Sequence, residues 1–325
     1  MRIVRCENMD EWNECVSASP IATVFHQKEW LMAIEKSCRC ELIPLVGVMD
    51  GNVVGICPLF RMRKGPVCAV FSPPPKTCVP FMGPAVIPVD SEGHGMEMLR
   101  IKFLEKIDDY ISKELRADLI SLHFTPGFHD VRALKWRGYT ADTLYTYVVD
   151  TRDADMIWAG FRSELRRDIR KASQNRIREG DNYGWLYTLV EQRYREQGLK
   201  PPISRDYYDS VCRTLGGAAL KLFVAEQKGE RKSGLLLAHD AHTAYFWFGA
   251  PRVDGTTVND LLHWEAIRWC CKMGIGRYDM VGANTPRLCR YKMKFNPEIA
   301  VYLHLKKAGA IGKLAEKAYR KLTGR

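Results

Sequence analysis

One order of elements runs through this chain twice. Helix, strand, tight turn and strand are read at 25–60, in "FHQKEWLMAIEKS" and "ELIPLVGVMDGNVVGICPLF", and again at 205–240, in "RDYYDSVCRTLG", "LKLFVAEQ" and "SGLLLAHD". A longer helix followed by a strand is read at 95–123 and at 258–282, and a short connector with a final strand at 128–150 and at 285–305. Helices that alternate with strands in this way build α/β layers. An order repeated with negligible sequence identity predicts two similar domains on mixed sheets. A length of 325 residues is comfortable for two cores. The expected division is 1–150 for the first domain and 151–305 for the second, leaving 306–325 as a basic C-terminal helix.

Local signals support the individual elements. Asp50-Gly51 between two apolar runs is a hairpin turn, because both residues tolerate positive φ. "SPPPKTCVPFMGPAVIP" is too rich in proline for a central strand. The helix at 95–115 places Met98, Ile101, Leu104, Ile107 and Ile111 on one stripe. Helices are also read at 153–176 and 184–198, and Ser204 caps a third at 205–216. Gly274 ends the helix "VNDLLHWEAIRWCCKM". In the tail, Ile311, Leu314, Ala315, Ala318, Tyr319 and Leu322 form a stripe with lysines opposite. That stripe suits packing on the protein itself or an anionic membrane surface.

The net charge of +11 is confined to two segments. Residues 161–180 hold seven Lys/Arg against three Asp/Glu, and residues 287–325 hold eleven against two. A localised basic surface points to an anionic partner such as phosphate, a nucleic-acid end or a lipid headgroup. No base-reading motif accompanies it, which argues against sequence-specific DNA binding. The 11 cysteines have no C-x-x-C or zinc-finger spacing, so no metal site is expected and they read as reduced thiols of a cytoplasmic protein. No run of about 18 apolar residues occurs to span a membrane.

The stretch "RYKMKFNPE" crowds two lysines, two aromatics and Asn296-Pro297 ahead of the last strand. In extended chain Lys292 and Lys294 face the same way, with Tyr291 and Phe295 on the other side or at its margin. A polar group-transfer reaction needs its partners held together, a proton moved and the developing negative charge stabilised. A fixed lysine serves the last role. Asp279 in "RYDMVG" is a candidate general base or orienting group, or an ordinary strand-end Asp near Asn284. Arg166, Arg167, Arg170 and Lys171 recur at helical spacing, so Arg166 and Arg170 are expected to share a phosphate-binding face. His26 lines a cleft or caps a turn, while His263, Trp264 and Glu265 fit a core helix better than a site.

"FRSELRRDIRKASQNR", "GLLLAHDAHTAYFWFGAP", "LLHWEAIRWCCKMGIGRYDMVG" and "YKMKFNPEIAVY" together resemble the Fem family of cell-wall aminoacyl transferases and the related BioF2-like acetyltransferases. The resemblance is strongest over 161–302, and "FHQKEW" extends it weakly into the first half. It implies two tandem GNAT-like domains, the acyl-CoA N-acyltransferase fold, with the C-terminus returning to the first. It matches Tyr291-Lys292 to an aromatic-lysine pair lining the transfer site, Asp279 to an aspartate on the preceding strand, and "ELRRDIRKA" to a basic helix. "KFNPE" departs from the glycine-bearing sequence expected after the lysines. Neither "MRKGPVC" nor "PRVDGTTVN" supplies the Q/R-x-x-G-x-G/A cradle for a CoA pyrophosphate.

The resemblance thus implies an N-acyltransferase with Lys292, Asp279 and Tyr291 at the transfer site. Arg166, Arg167, Arg170, Lys171, Lys294, Phe295 and His26 are candidates for substrate binding. No tightly bound cofactor is expected; the co-substrate is aminoacyl-tRNA or acyl-CoA. The expected acceptor bears an amine, with lipid- and nucleotide-linked molecules among the candidates, and the expected location is the cytoplasm, with the inner face of the membrane as a candidate. Two alternatives stay open: an acyl-CoA-dependent N-acetyltransferase, and a noncatalytic protein that binds RNA or anionic lipid.

Overall fold

The computed structural model describes residues 1–88, 94–250, 257–314 and 317. Their order is β1 (Arg2–Arg5), α1 (Met9–Ala18), α2 (Lys28–Cys38), β2 (Glu41–Met49), β3 (Asn52–Lys64), β4 (Val67–Ser72), β5 (Ala85–Val86), α3 (His94–Tyr110), β6 (Leu119–His123), α4 (Arg132–Trp136) and β7 (Thr140–Asp150). It continues with α5 (Ala154–Gly160), α6 (Ser163–Ala172), β8 (Arg176–Gly180), α7 (Tyr183–Glu196), α8 (Arg205–Ala219), β9 (Leu220–Gln227), β10 (Glu230–His239) and β11 (Thr243–Gly249). The last elements are α9 (Val258–Met273), β12 (Arg277–Asp279), α10 (Pro286–Lys292) and β13 (Glu298–Ala308). The α/β class and its mixed sheets are therefore as the sequence implies.

The chain divides into two compact units, Met1–Leu144 with the chain from Val301, and Tyr145–Ala300. The divisions fall inside β7 and β13 rather than at 150 and 305. The reason is an exchange of final strands. In the first unit the strand order is β1-β2-β3-β4-β6-β13, and β13, the last strand of the second half, pairs antiparallel with β6 through His304↔His123 to Ala308↔Leu119. In the second unit the order is β7-β12-β11-β10-β9-β8, and β7, the last strand of the first half, pairs antiparallel with β12. Each unit holds one parallel contact among otherwise antiparallel neighbours, β4 with β6 and β11 with β12.

The expected hairpin closes as its residues require, with Asp50 at φ 52° and Gly51 at φ 84°. The first unit buries Ile43, Leu59, Val70, Phe103, Ile107 and Leu122 together, and Leu305 of β13 joins them. Its helix α3 turns Leu99, Phe103 and Ile107 inward, and Ile111 just after it is also buried, whereas Met98 of the expected stripe is exposed. Lys307 of β13 is tied to buried Asp108, which also receives Arg137 and the Tyr139 hydroxyl. In the second unit α6 and α9 cover the sheet, enclosing Leu165, Ile169, Leu237, Ala244, Leu262, Ile267 and Tyr278.

Two further readings change. The single helix expected over 153–176 breaks at Phe161 and Arg162, and "RYKMKFNPE" is not extended. Thr285 and Pro286 start α10, a 3-10 turn Met293–Phe295 follows, and Asn296 closes it at φ 50°. Asn is the residue that tolerates that left-handed cap, and Pro297 prevents the helix from continuing. The tail remains β-strand to Ala308, and its helix begins beyond Gly309, whose N–H reaches the Asp118 carbonyl. Ile311 and Leu314 of the tail stripe are exposed, while Ala315, Ala318, Tyr319 and Leu322 lie outside the described residues.

Candidate active site

The second unit gathers its ionisable groups where its parallel strand pair ends. β11 and β12 are in register only from Thr243↔Arg277 to Tyr245↔Asp279, after which β11 runs on to Gly249 and β12 stops. The carboxyl end of such a pair is where open α/β sheets hold ligands. A bulge sets Leu236–Leu237 of β10 against Phe246 and Phe248, so Trp247 is the extra residue on β11.

Asp279 sits at that end, 2% exposed. The Thr146 hydroxyl of β7 and the Val281 N–H (2.7 Å) both donate to its Oδ1. Burial pushes the carboxyl up to about 6, against the opposing pulls of Thr146, Val281, Lys292 and Arg277. It is therefore anionic at pH 7 yet costly to charge.

Val281 has φ 51° and Gly282 φ 84°. A β-branched residue in the left-handed region is strained, by about 1–3 kcal/mol. The turn points both carbonyls at one target: Lys292 Nζ donates to the oxygens of Val281 and of Gly282, the latter at 2.7 Å. Lys292, the last residue of α10, is 3% exposed. Burial lowers its ammonium to about 8, opposed by the charge of Asp279. The Lys292 charge also reaches His263 of α9, whose Nδ1 shares a 2.6 Å hydrogen bond with the Tyr278 hydroxyl. Burial, and then the Lys292 charge, bring that imidazole down to about 3, so it is neutral at physiological pH.

The other sequence candidates separate. Phe295, 1% exposed, packs edge-on to Phe161 and His263, and Tyr291 packs edge-on to Phe295 and at a tilt to His263. Phe295 is thus a wall of the core rather than a binding surface. Because the segment is helical, Lys294 does not face with Lys292; its Nζ meets Glu164 of α6 at 2.8 Å. Arg166 is also corrected. Its guanidinium donates to the carbonyls of Trp158, Ala159 and Phe161, capping the end of α5 where the expected long helix breaks. The open basic face of α6 is Arg167, Arg170 and Lys171, with Arg170 5.8 Å over the Trp158 ring and Arg162 exposed before the helix. His26 belongs to the first unit and is fully buried, its ring held by Thr23 and the Gly83 carbonyl, where it caps a turn. Burial lowers it to about 4.

Sequence reasoning missed Thr146 and Val281. Thr146 arrives on a strand exchanged from the other half of the chain, and nothing in "DMVGAN" marks a valine for positive φ. His263 was read as core, which it is, but in contact with the site. The turn "MRKGPVC" is the β3–β4 hairpin, and residues 251–256 of "PRVDGTTVN" lie outside the described residues.

Residues 159–293 match the family model described as Acetyltransferase (GNAT) domain. No curated protein matches the chain in sequence. Among solved structures, FemX superposes with a TM-score of 0.71 at 13% identity, covering 93% of this chain and 97% of that one. The C-terminal domain of a protein described as a lysylphosphatidylglycerol synthetase, from Agrobacterium fabrum, gives 0.60 at 10% identity over 95% and 94%. A tandem GNAT protein from the clavulanic acid biosynthesis pathway gives 0.52 at 11% identity over 94% and 98%. Residues 159–293 thus hold a GNAT-type domain, in a chain whose fold is shared along its length with FemX and the tandem GNAT protein.

Proposed function

We propose that this acyltransferase moves an aminoacyl group from the ester of an aminoacyl-tRNA onto an amine of a cell-envelope precursor or peptide. One observation carries the proposal: a buried, cationic Lys292 fixed by two backbone carbonyls at the end of the β11–β12 pair. An ammonium has three N–H donors. Two are spent on Val281 and Gly282, and the third serves the oxygen that gains charge as the amine attacks. A C–N bond forms, the C–O ester bond breaks, and the amine proton leaves with the ribose oxygen. A preorganised cation of this kind is worth about 10²–10³ in kcat. Asp279, enclosed and already bonded twice, sets the charge of the site rather than taking the substrate's proton.

The exposed Arg167, Arg170 and Lys171 support a tRNA acceptor end, whose phosphates they suit, with Trp158 beside Arg170 as a stacking surface. The sequence also lacks the glycine-rich pyrophosphate cradle. A structural neighbour described as a lysylphosphatidylglycerol synthetase favours an acceptor of the envelope, lipid- or nucleotide-linked. The exposed Ile311 and Leu314 of the tail would face the membrane that carries such an acceptor. A second reading, N-acetyl transfer from acyl-CoA, draws on the acetyltransferase description of residues 159–293. Purified protein offered charged tRNA or acetyl-CoA, each with a panel of amines and read by mass spectrometry, decides between them. Product from charged tRNA alone is expected; product from acetyl-CoA alone overturns the proposal in favour of the second reading.

A further inference from the structure

Lys292 stabilises negative charge only while it is itself charged, yet its surroundings oppose this. It is 3% exposed, and its charge reaches His263 of α9, whose ring is neutral. From its own helix Cys289 faces it, and that thiol is shared with Tyr147 of β7. The fixed anion in the group is Asp279 of β12, whose charge also reaches Tyr245 of β11 and neighbouring Tyr278. Arg277 lies beyond it on the same strand. Asp279 in turn is buried and would readily take a proton.

Two groups hold it ionised. The Thr146 side chain, fully enclosed, donates its hydroxyl to Oδ1. The Val281 N–H donates to the same oxygen, and only the left-handed turn at Val281 lets that N–H meet Asp279 while the Val281 carbonyl meets Lys292. We propose that Thr146 is a positioning residue which, with the strained Val281 turn, keeps Asp279 an anion and thereby keeps Lys292 a cation. Thr146 never touches substrate. It acts through Asp279, and it does so from β7, a strand supplied by the first half of the chain. The exchanged strand thus has a chemical part in the second unit as well as a structural one.

This deepens the reading of Lys292 as the stabilising cation, and its test does not depend on turnover. Protein carrying lysine labelled with 13C at Cε is titrated by NMR, with the Lys292 resonance assigned by its loss in Lys292→Arg. Removing the Thr146 hydroxyl lets Asp279 hold its proton to higher pH, which withdraws the counter-charge and makes Lys292 easier to deprotonate. Thr146→Val is expected to lower the Lys292 midpoint by about one pH unit. Asp279→Asn should lower it at least as far, and Thr146→Ser should leave it at the wild-type position. If Thr146→Val does not fold, Thr146→Ala carries the same test. An unchanged midpoint in Thr146→Val, or equal shifts in Val and Ser, reduces Thr146 to packing and overturns the proposal. A shifted midpoint in a protein whose Lys292→Met variant still transfers at the wild-type rate would sustain the positioning and overturn the function instead.

Discussion

Replacing both buried charges of the site should stabilise the protein while removing its activity. In the folded chain the Asp279 carboxyl stands at about 6 against an ordinary 3.8, and the Lys292 amine at about 8 against 10.5. One pKa unit corresponds to about 1.36 kcal/mol, so at pH 7 the two charges disfavour the folded state by about 6 kcal/mol. Asp279 binds its proton more tightly folded than unfolded, so its cost grows from pH 3.8 to about 6 and is complete above that. Lys292 binds its proton less tightly folded, so its cost is complete below about 8 and fades towards 10.5. At pH 7 both costs are present. Asp279→Asn with Lys292→Met removes them, and leaves the Val281 and Gly282 carbonyls unpaired at about 1–2 kcal/mol each. The net gain is about 3 kcal/mol, which for a unit of this size raises Tm by roughly 6–12 °C. Lys292→Met alone behaves differently, because it leaves the buried Asp279 carboxylate without its lysine partner. It should melt below the double variant at pH 7, and the gap should close at pH 5 as the carboxyl takes its proton. Scanning calorimetry at the two pH values measures this. A double variant that melts below the wild type at pH 7, or a gap that ignores pH, would refute the reasoning.

Arg167→Glu, Arg170→Glu and Lys171→Glu together should weaken tRNA binding and flatten its salt dependence without altering Tm, since each lost phosphate contact lowers the slope of log K against log salt by about 0.9 at most; filter binding across salt concentrations reads this. Asp108→Ala removes the shared partner of Arg137, Tyr139 and Lys307 and should destabilise the first unit by about 3–5 kcal/mol in denaturant titration, because the groups left behind are partly buried.

The elements of the fold were legible because their signals are local. Asp50-Gly51 names its own turn, Ser204 its helix start and Gly274 its helix end, and the structure places each at its cap or turn. The pairing of β7 with β12 and of β13 with β6 was not legible, since the hydrogen-bond partner of a strand is set by the whole sheet and not by its own residues. At the site, Lys292 and Asp279 were found through their resemblance to a family pattern, and the structure puts both around one turn. The conformation around Lys292 was misread as extended although Thr285-Pro286 before it and Asn296-Pro297 after it are helix boundary signals. Arg166 was misassigned for a different reason: helical spacing fixes a direction for Cβ, but a guanidinium is long enough to turn back onto carbonyls five to eight residues earlier. Thr146 could not have been found, because its partner Asp279 lies 133 residues away.

The proposed transfer requires Lys292 to stabilise the charge that develops on the acyl oxygen. Single-turnover transfer from charged tRNA to an amine acceptor, measured for wild type and for Lys292→Met at saturating donor, tests it most directly. A rate lower by about 10²–10³ with an unchanged donor Kd is the expected result. A Lys292→Met protein that transfers at the wild-type rate would contradict it.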